Sequence, residues 1–215
     1  MTIGRREHIS PALLDAAIAA AAAIALLLFH VLRGLPTLEN GGGDNDALLR
    51  LVQVRDLLAG QGWYDLTQYR MGLEGGFVMH WSRLVDLPLA AMVSVFGEKA
   101  ALIIWPTLLF ALCLYLIIRF ARLIGGAMAV LPATIIGTLA LFFVNQFRPG
   151  AIDHHNLQLV LALAGAYALA VVQPEKNGAA RWGALAGTCS ALMLAIGMEA
   201  APYAAAACAV AAAVP

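Results

Sequence analysis

Six stretches of this chain carry no Asp, Glu, Lys or Arg: Ala16 to Leu32, Ala100 to Ile118, Ala127 to Val144, Leu157 to Val172, Trp182 to Gly197 and Ala200 to Pro215. About 20 apolar residues at helical rise cross the hydrocarbon core of a bilayer. In lipid, only a helix or a closed barrel satisfies every backbone polar group, and runs of this length select the helix. Composition points the same way. Apolar residues make up 62% of the chain and charged residues 12%, against roughly 45–50% and 25% in soluble domains. Disorder is excluded, because it needs low hydrophobicity and high net charge. With 13 basic residues matched by 13 acidic ones, a basic nucleic-acid surface is excluded as well. The fold class expected is therefore all-α, a polytopic membrane helix bundle whose sixth span is incomplete.

The first run follows Arg5 and Arg6 and resembles a secretory leader in its basic start. It ends in Leu-Phe-His-Val-Leu without the small residues a signal peptidase needs, so it is expected to stay as an anchor. Lys and Arg in the short turns set the orientation. A cytoplasmic N-terminus puts Arg5, Arg6, Arg119, Arg122, Lys176 and Arg181 inside. The short turn from Asn145 to Asn156, with Arg148 alone, then lies outside, as does the long interval 34–99. Localisation in the inner (plasma) membrane follows, with the periplasmic or extracellular face holding the polar clusters.

The long outer loop is expected to be partly helical. Asp46 to Gly60 spaces its apolar residues at helical period and meets a glycine stop. Leu87 to Phe96 is apolar but short, which predicts a re-entrant or interfacial segment. Gly41-Gly42-Gly43 before Asp44 serves either as a ligand-approach loop or as a hinge.

Two polar clusters fall on the same outer face: Asp44-Asn45-Asp46 after the first span, and Asp153-His154-His155 before the fourth. Glu199 joins them at the end of the fifth span. Ionisable residues at membrane depth are costly and mark function. Carboxylates suit Mg²⁺ and Mn²⁺, and an imidazole among them shifts the preference toward Mn²⁺. In an extended loop Asp153 and His155, two apart, point the same way and His154 faces elsewhere. A metal there would neutralise a phosphate leaving group. His80, His154 and Arg148 supply further positive charge to a phosphate.

The order Asn45-Asp46, Arg55-Asp56 and Gly150-Ala-Ile-Asp153-His-His155 resembles the catalytic subunit of oligosaccharyltransferases, membrane glycosyltransferases of the GT-C fold. In that family a first-loop Asp and a Gly-x-x-Asp-x-Asp/His motif bind Mg²⁺ or Mn²⁺. The Asp-x-His form here is similar to the archaeal branch. By this resemblance Asp46 and Asp153 are the catalytic residues, and Asp46, Asp153 and His155 are metal ligands. His154, His80 and Arg148 lie near the lipid-linked phosphate. The implied reaction moves a sugar or oligosaccharide from a polyprenyl phosphate or pyrophosphate carrier to an acceptor, a protein Asn in the family proper. Partners are the lipid-linked donor, an acceptor peptide or envelope glycan, and membrane lipid. The four Trp never pair, so the family's Trp-Trp-Asp acceptor motif lies outside this chain. The chain is accordingly expected to be the N-terminal part of such an enzyme, inactive alone. Two other readings are a GT-C enzyme that glycosylates a lipid or envelope glycan and a non-enzymatic transport component. Carriers hold their ionisable residues in mid-span, whereas here they gather at a boundary.

The remaining residues are expected to pack. Cys113, Cys189 and Cys208 fall in apolar runs as small core residues. Gly165, Gly183 and Gly187 suit close helix contact. Pro106 and Pro132 predict tolerated kinks, and Asp15 an interfacial position.

Overall fold

A computed structural model describes residues 10–38, 44–172 and 178–213. Every charge-free run falls within a helix or runs on from one. In chain order these are α1 (Pro11–Leu32), α2 (Asn45–Leu58), α3 (Arg83–Phe96), α4 (Glu98–Gly125), α5 (Val130–Val144), α6 (His154–Val172), α7 (Ala179–Ile196) and α8 (Ala201–Ala213). Four helical segments are long and apolar enough to cross a membrane: Pro11–Leu32, Glu98–Val144, His154–Val172 and Ala179–Ile196. Their outward faces stay apolar. Ile24, Leu28, Leu131, Ile136 and Phe143 are each more than half exposed, a surface that suits lipid and not water. The chain is a membrane protein built as an all-α bundle.

The 47-residue segment Glu98–Val144 is broken where Gly126 takes φ 64°, followed by a short 3-10 turn through Ala129. It folds back there. A Cβ on Gly137 of α5 would lie 3.0 Å from Leu114 and 3.1 Å from Ile117 of α4, on the opposite arm of the turn. Helix α4 is the hub and packs on α1, α3, α5 and α6. Its buried face, Trp105, Leu109, Phe110, Cys113, Leu114 and Ile118, meets Ala19 and Ala23 of α1. Those two alanines, one helical turn apart, let the backbones approach closely.

Caps explain several starts. Ser10 caps α1 through Leu13 N–H, with Pro11 in the first turn, where its missing N–H costs nothing. Helix α1 therefore begins five residues before the charge-free run. Asp44 caps α2 through Ala47 N–H at 2.9 Å, and Gly60 stops it at φ 99°. The predicted helix over Asp46 to Gly60 is thus present. The segment predicted from Leu87 begins earlier, at Arg83, because Ser82 caps it. Between α2 and α3 a two-strand hairpin, β1 (Thr67–Gln68) and β2 (Phe77–Val78), pairs antiparallel, an element the helical reading of the loop did not contain. Gly76, at φ 82°, sits 3.1 Å by its would-be Cβ from the Gln68 carbonyl, so the hairpin closes on glycine alone.

Three packing expectations change. Asp15, near the start of α1, is fully buried and held by Arg119 and Arg122 of α4. A carboxylate between two helices needs such partners. Pro132 is the third residue of α5, where no helical N–H is lost. Gly165 does pack, since a Cβ there would lie 3.4 Å from Cys189, but a Cβ on Gly183 or Gly187 would meet nothing within 4 Å: they lie on the exposed face of α7. Cys113 and Cys189 are buried, and Cys208 is exposed. The Gly41–Gly43 stretch, Arg5, Arg6 and Lys176 fall outside the described residues.

Candidate functional site

Three elements meet at one end of the bundle: α2, α3 and the turn leading into α6. Helix α2 turns one face inward and buries Ala47, Arg50, Leu51, Gln53 and Val54. Arg50 is the anchor, 1% exposed. Its Nη1 donates to Asp86 Oδ1 of α3 at 2.8 Å, and its guanidinium lies 4.5 Å above the Trp81 ring. Asp86, wholly buried, also accepts from Arg83 Nη1 at 3.1 Å. Arg83 in turn donates to the Gln53 carbonyl at 3.0 Å, Gln61 Oε1 at 2.7 Å and the Asp65 carbonyl at 2.8 Å. Two arginines and two aspartates, Asp86 and Asp153, thus neutralise one another out of water. A lone buried charge would cost far more than such a balanced set.

Arg50 Nη2 reaches toward the α6 turn, 3.8 Å from Asp153 Oδ1 and 3.3 Å from His154 Nδ1. Asp153 Oδ1 is 2.6 Å from His154 Nδ1, and Oδ2 is 3.4 Å from His155 Nε2. The closer carboxylate makes Nδ1 a donor to Asp153, so Arg50 contributes charge rather than a second hydrogen bond to that nitrogen. His154 Nε2 is 2.7 Å from Glu199 Oε1. The His154 ring therefore bridges two carboxylates and is walled by Trp81, 5.7 Å away between centroids.

The ligand-type atoms of Asp153, His154 and His155 all lie within 4.8 Å of one another. His154 does not face away from its neighbours as an extended loop would have it. Helix α6 starts at His154, so successive side chains turn by about 100° rather than 180°. His154 is buried, while the His155 side chain is 46% exposed and gives the cluster its open side. Burial pushes the Asp153 carboxyl up, but the hydrogen bond and charge of His154 outweigh it and hold the group below the ordinary carboxylate range. Burial likewise raises Glu199, and its own backbone N–H, the Gln158 side chain and the His154 ring bring it net below the usual value.

The other predicted residues are spread around this core. Asp46 is exposed in the first turn of α2, outside the 4.8 Å group, and sits one turn before Arg50 on the same helix face. His80 is exposed and stacks edge-on to Trp81 at 6.4 Å. Arg148 is half-buried and lines a cavity with His30 and Asn145, on the side of α1 and α5. Nothing ties it to Asp153 among the described residues. No family model, no curated protein and no solved structure matches the chain.

Arg50, Asp86, Arg83 and Trp81 were not singled out from the sequence. The available signal was an arginine, Arg50, among the inward apolar positions of an amphipathic helix. Gly197 is another. A Cβ there would overlap the Glu199 carboxylate, so glycine is what lets Glu199 reach His154.

Proposed function

We propose that this chain carries the metal site of a metal-dependent glycosyltransferase. It would move a sugar or oligosaccharide from a polyprenyl phosphate or pyrophosphate carrier to an acceptor at the outer membrane face. One observation carries the reading: Asp153, His154 and His155 bring their ligand-type atoms within 4.8 Å at the first turn of an apolar helix, with Arg50 behind them. The donor set fits a divalent cation. One carboxylate with imidazole suits Mn²⁺ more than Mg²⁺, and Asp153 Oδ2 and His155 Nε2 are the atoms on the open side. Asp46, on the Arg50 face of α2, is the further ligand the resemblance implies.

When bound, the cation would neutralise charge on the departing phosphate. The protein's own groups orient the site. Arg50 and His154 fix the Asp153 carboxylate, Glu199 fixes His154, and Trp81 excludes water from the buried side. Exposed His80, beside Trp81, would meet a lipid-linked phosphate approaching this face, whereas Arg148 lines the side of α1 and α5. The boundary position of these groups favours an enzyme over a carrier, since carriers place ionisable residues in mid-span. The resemblance to oligosaccharyltransferases makes a peptide Asn or an envelope glycan the acceptor.

In the full-length protein, Asp153→Ala and Asp46→Ala are expected to abolish transfer from a radiolabelled lipid-linked sugar. Retained turnover in either variant removes the metal-site reading. A cysteine placed beside residue 153 is expected to react with a membrane-impermeant maleimide from outside, and protection there overturns the sidedness.

A further inference from the structure

Helix α2 has a second working face. Val52 is two residues past Arg50 and so about 200° around the helix, turned away from the Asp153 cluster. On that side two cavities of about 450 and 350 Å³ adjoin, with Val52, Gln68 and Arg70 lining both. The larger is walled by Leu48, Leu49 and Val52 of α2 and Leu102 of α4. Leu102 stands one helical turn into α4, at the start of a segment long and apolar enough to cross a membrane. Together the two cavities have the size of a site for a small amphiphile.

The polar groups are ordered along this groove. The first cavity is mostly aliphatic, and its one ion pair, Arg55 with Glu98 at 2.8 and 2.6 Å, is self-contained. At the junction stands Arg70, exposed and without an ion pair among the described residues. Beside it Gln68 is 1% exposed. Its Nε2 is buried with no hydrogen-bond partner among the described residues, a donor that a buried site should satisfy. The second cavity adds Asp56, whose carboxylate has no ion pair among the described residues. From the α4 end outward the sequence is thus aliphatic wall, cation with amide donor, then anion.

We infer that this groove binds an aminophospholipid: an acyl chain along the leucines, the phosphate on Arg70 and Gln68 Nε2, and the terminal ammonium on Asp56. The order of groups in such a lipid matches the order of groups in the groove. A purely anionic lipid would leave Asp56 facing a neutral or negative headgroup. The site is separate from the Asp153 cluster and does not rest on the proposed transferase activity.

The test uses the full-length chain in dodecyl maltoside with equimolar dioleoyl phosphatidylethanolamine and dioleoyl phosphatidylglycerol, counting bound lipids by native mass spectrometry. Phosphatidylethanolamine adducts are expected to exceed phosphatidylglycerol by about threefold, the effect of one partly solvated ion pair. Asp56→Asn is expected to bring the two lipids to parity, and Arg70→Gln to reduce both. Val52→Trp, which fills the shared wall, is expected to remove the excess, with far-ultraviolet dichroism confirming unchanged helicity. Equal binding of the two lipids by the unaltered chain overturns the proposal. So does a preference that survives Asp56→Asn or Val52→Trp.

Discussion

Removing one carboxylate from the buried charge network should cost more than removing any other single group at this end of the molecule. Asp86 is wholly buried and accepts from Arg50 at 2.8 Å and from Arg83 at 3.1 Å. Asp86→Asn leaves the set of Arg50, Arg83 and Asp153 with a surplus positive charge. At an effective dielectric near 20, each pair at roughly 4 Å between charge centres is about 4 kcal/mol. Breaking a buried pair by removing one partner typically costs about 3–5 kcal/mol. Asparagine keeps one acceptor oxygen, and Arg83 keeps three neutral acceptors, so the lower end, about 3 kcal/mol, is expected. The assay is equilibrium unfolding of the full chain in mixed micelles titrated with dodecyl sulfate, read by tryptophan fluorescence. Arg55→Ala is the internal comparison. Its pair with Glu98 is 54% and 32% exposed, and losing it should cost less than about 1 kcal/mol. The double substitution Arg50→Met with Asp86→Met should cost less than the sum of its two single substitutions, because it removes both charges of one pair together. If Asp86→Asn and Arg55→Ala destabilise equally, the buried network does not hold α2 to α3.

Other consequences are separable. Gly197→Ala should push the Glu199 carboxylate off His154 without deleting it, and should lower divalent-metal affinity by about 10-fold, as loss of a supporting hydrogen bond does; unchanged affinity would disconnect Glu199 from the cluster. The Glu199 carboxyl is held below its ordinary value of 4.5 in the folded chain. Its contribution is therefore complete above that pH and is lost as pH falls through the lowered value, so a Glu199→Gln variant should show a flatter stability profile below about pH 4.5 and the same profile at neutral pH. Gly137→Val should drive a branched side chain into Leu114 and Ile117 and weaken the α4–α5 hairpin by about 1–3 kcal/mol, measured by the same micelle titration.

The helical bundle was legible because it depends on local properties. A run without charge has no side chain that needs water, and Asp44 or Gly60 announces a boundary by its own backbone chemistry. The cluster Asp153-His154-His155 was legible for the same reason, since its members are adjacent. What lay hidden was everything made by folding at a distance. Arg50 and Asp86 are 36 residues apart, and His154 and Glu199 are 45 apart. No spacing rule joins such pairs. The orientation of His154 was not legible because it depends on where α6 starts, and α6 starts at His154 itself. The small strands β1 and β2 were missed because four paired residues leave no period to read, only the glycines of their turn.

The claim on which the functional account stands is that Asp153 and His155 hold a divalent cation. Titration of the full-length protein with Mn²⁺, followed by the loss of the free-ion electron paramagnetic resonance signal, tests it directly. The account predicts one bound Mn²⁺ per chain, lost in Asp153→Ala and weakened in His155→Ala. Stoichiometric binding unaffected by Asp153→Ala, or no binding by the unaltered protein, would contradict it.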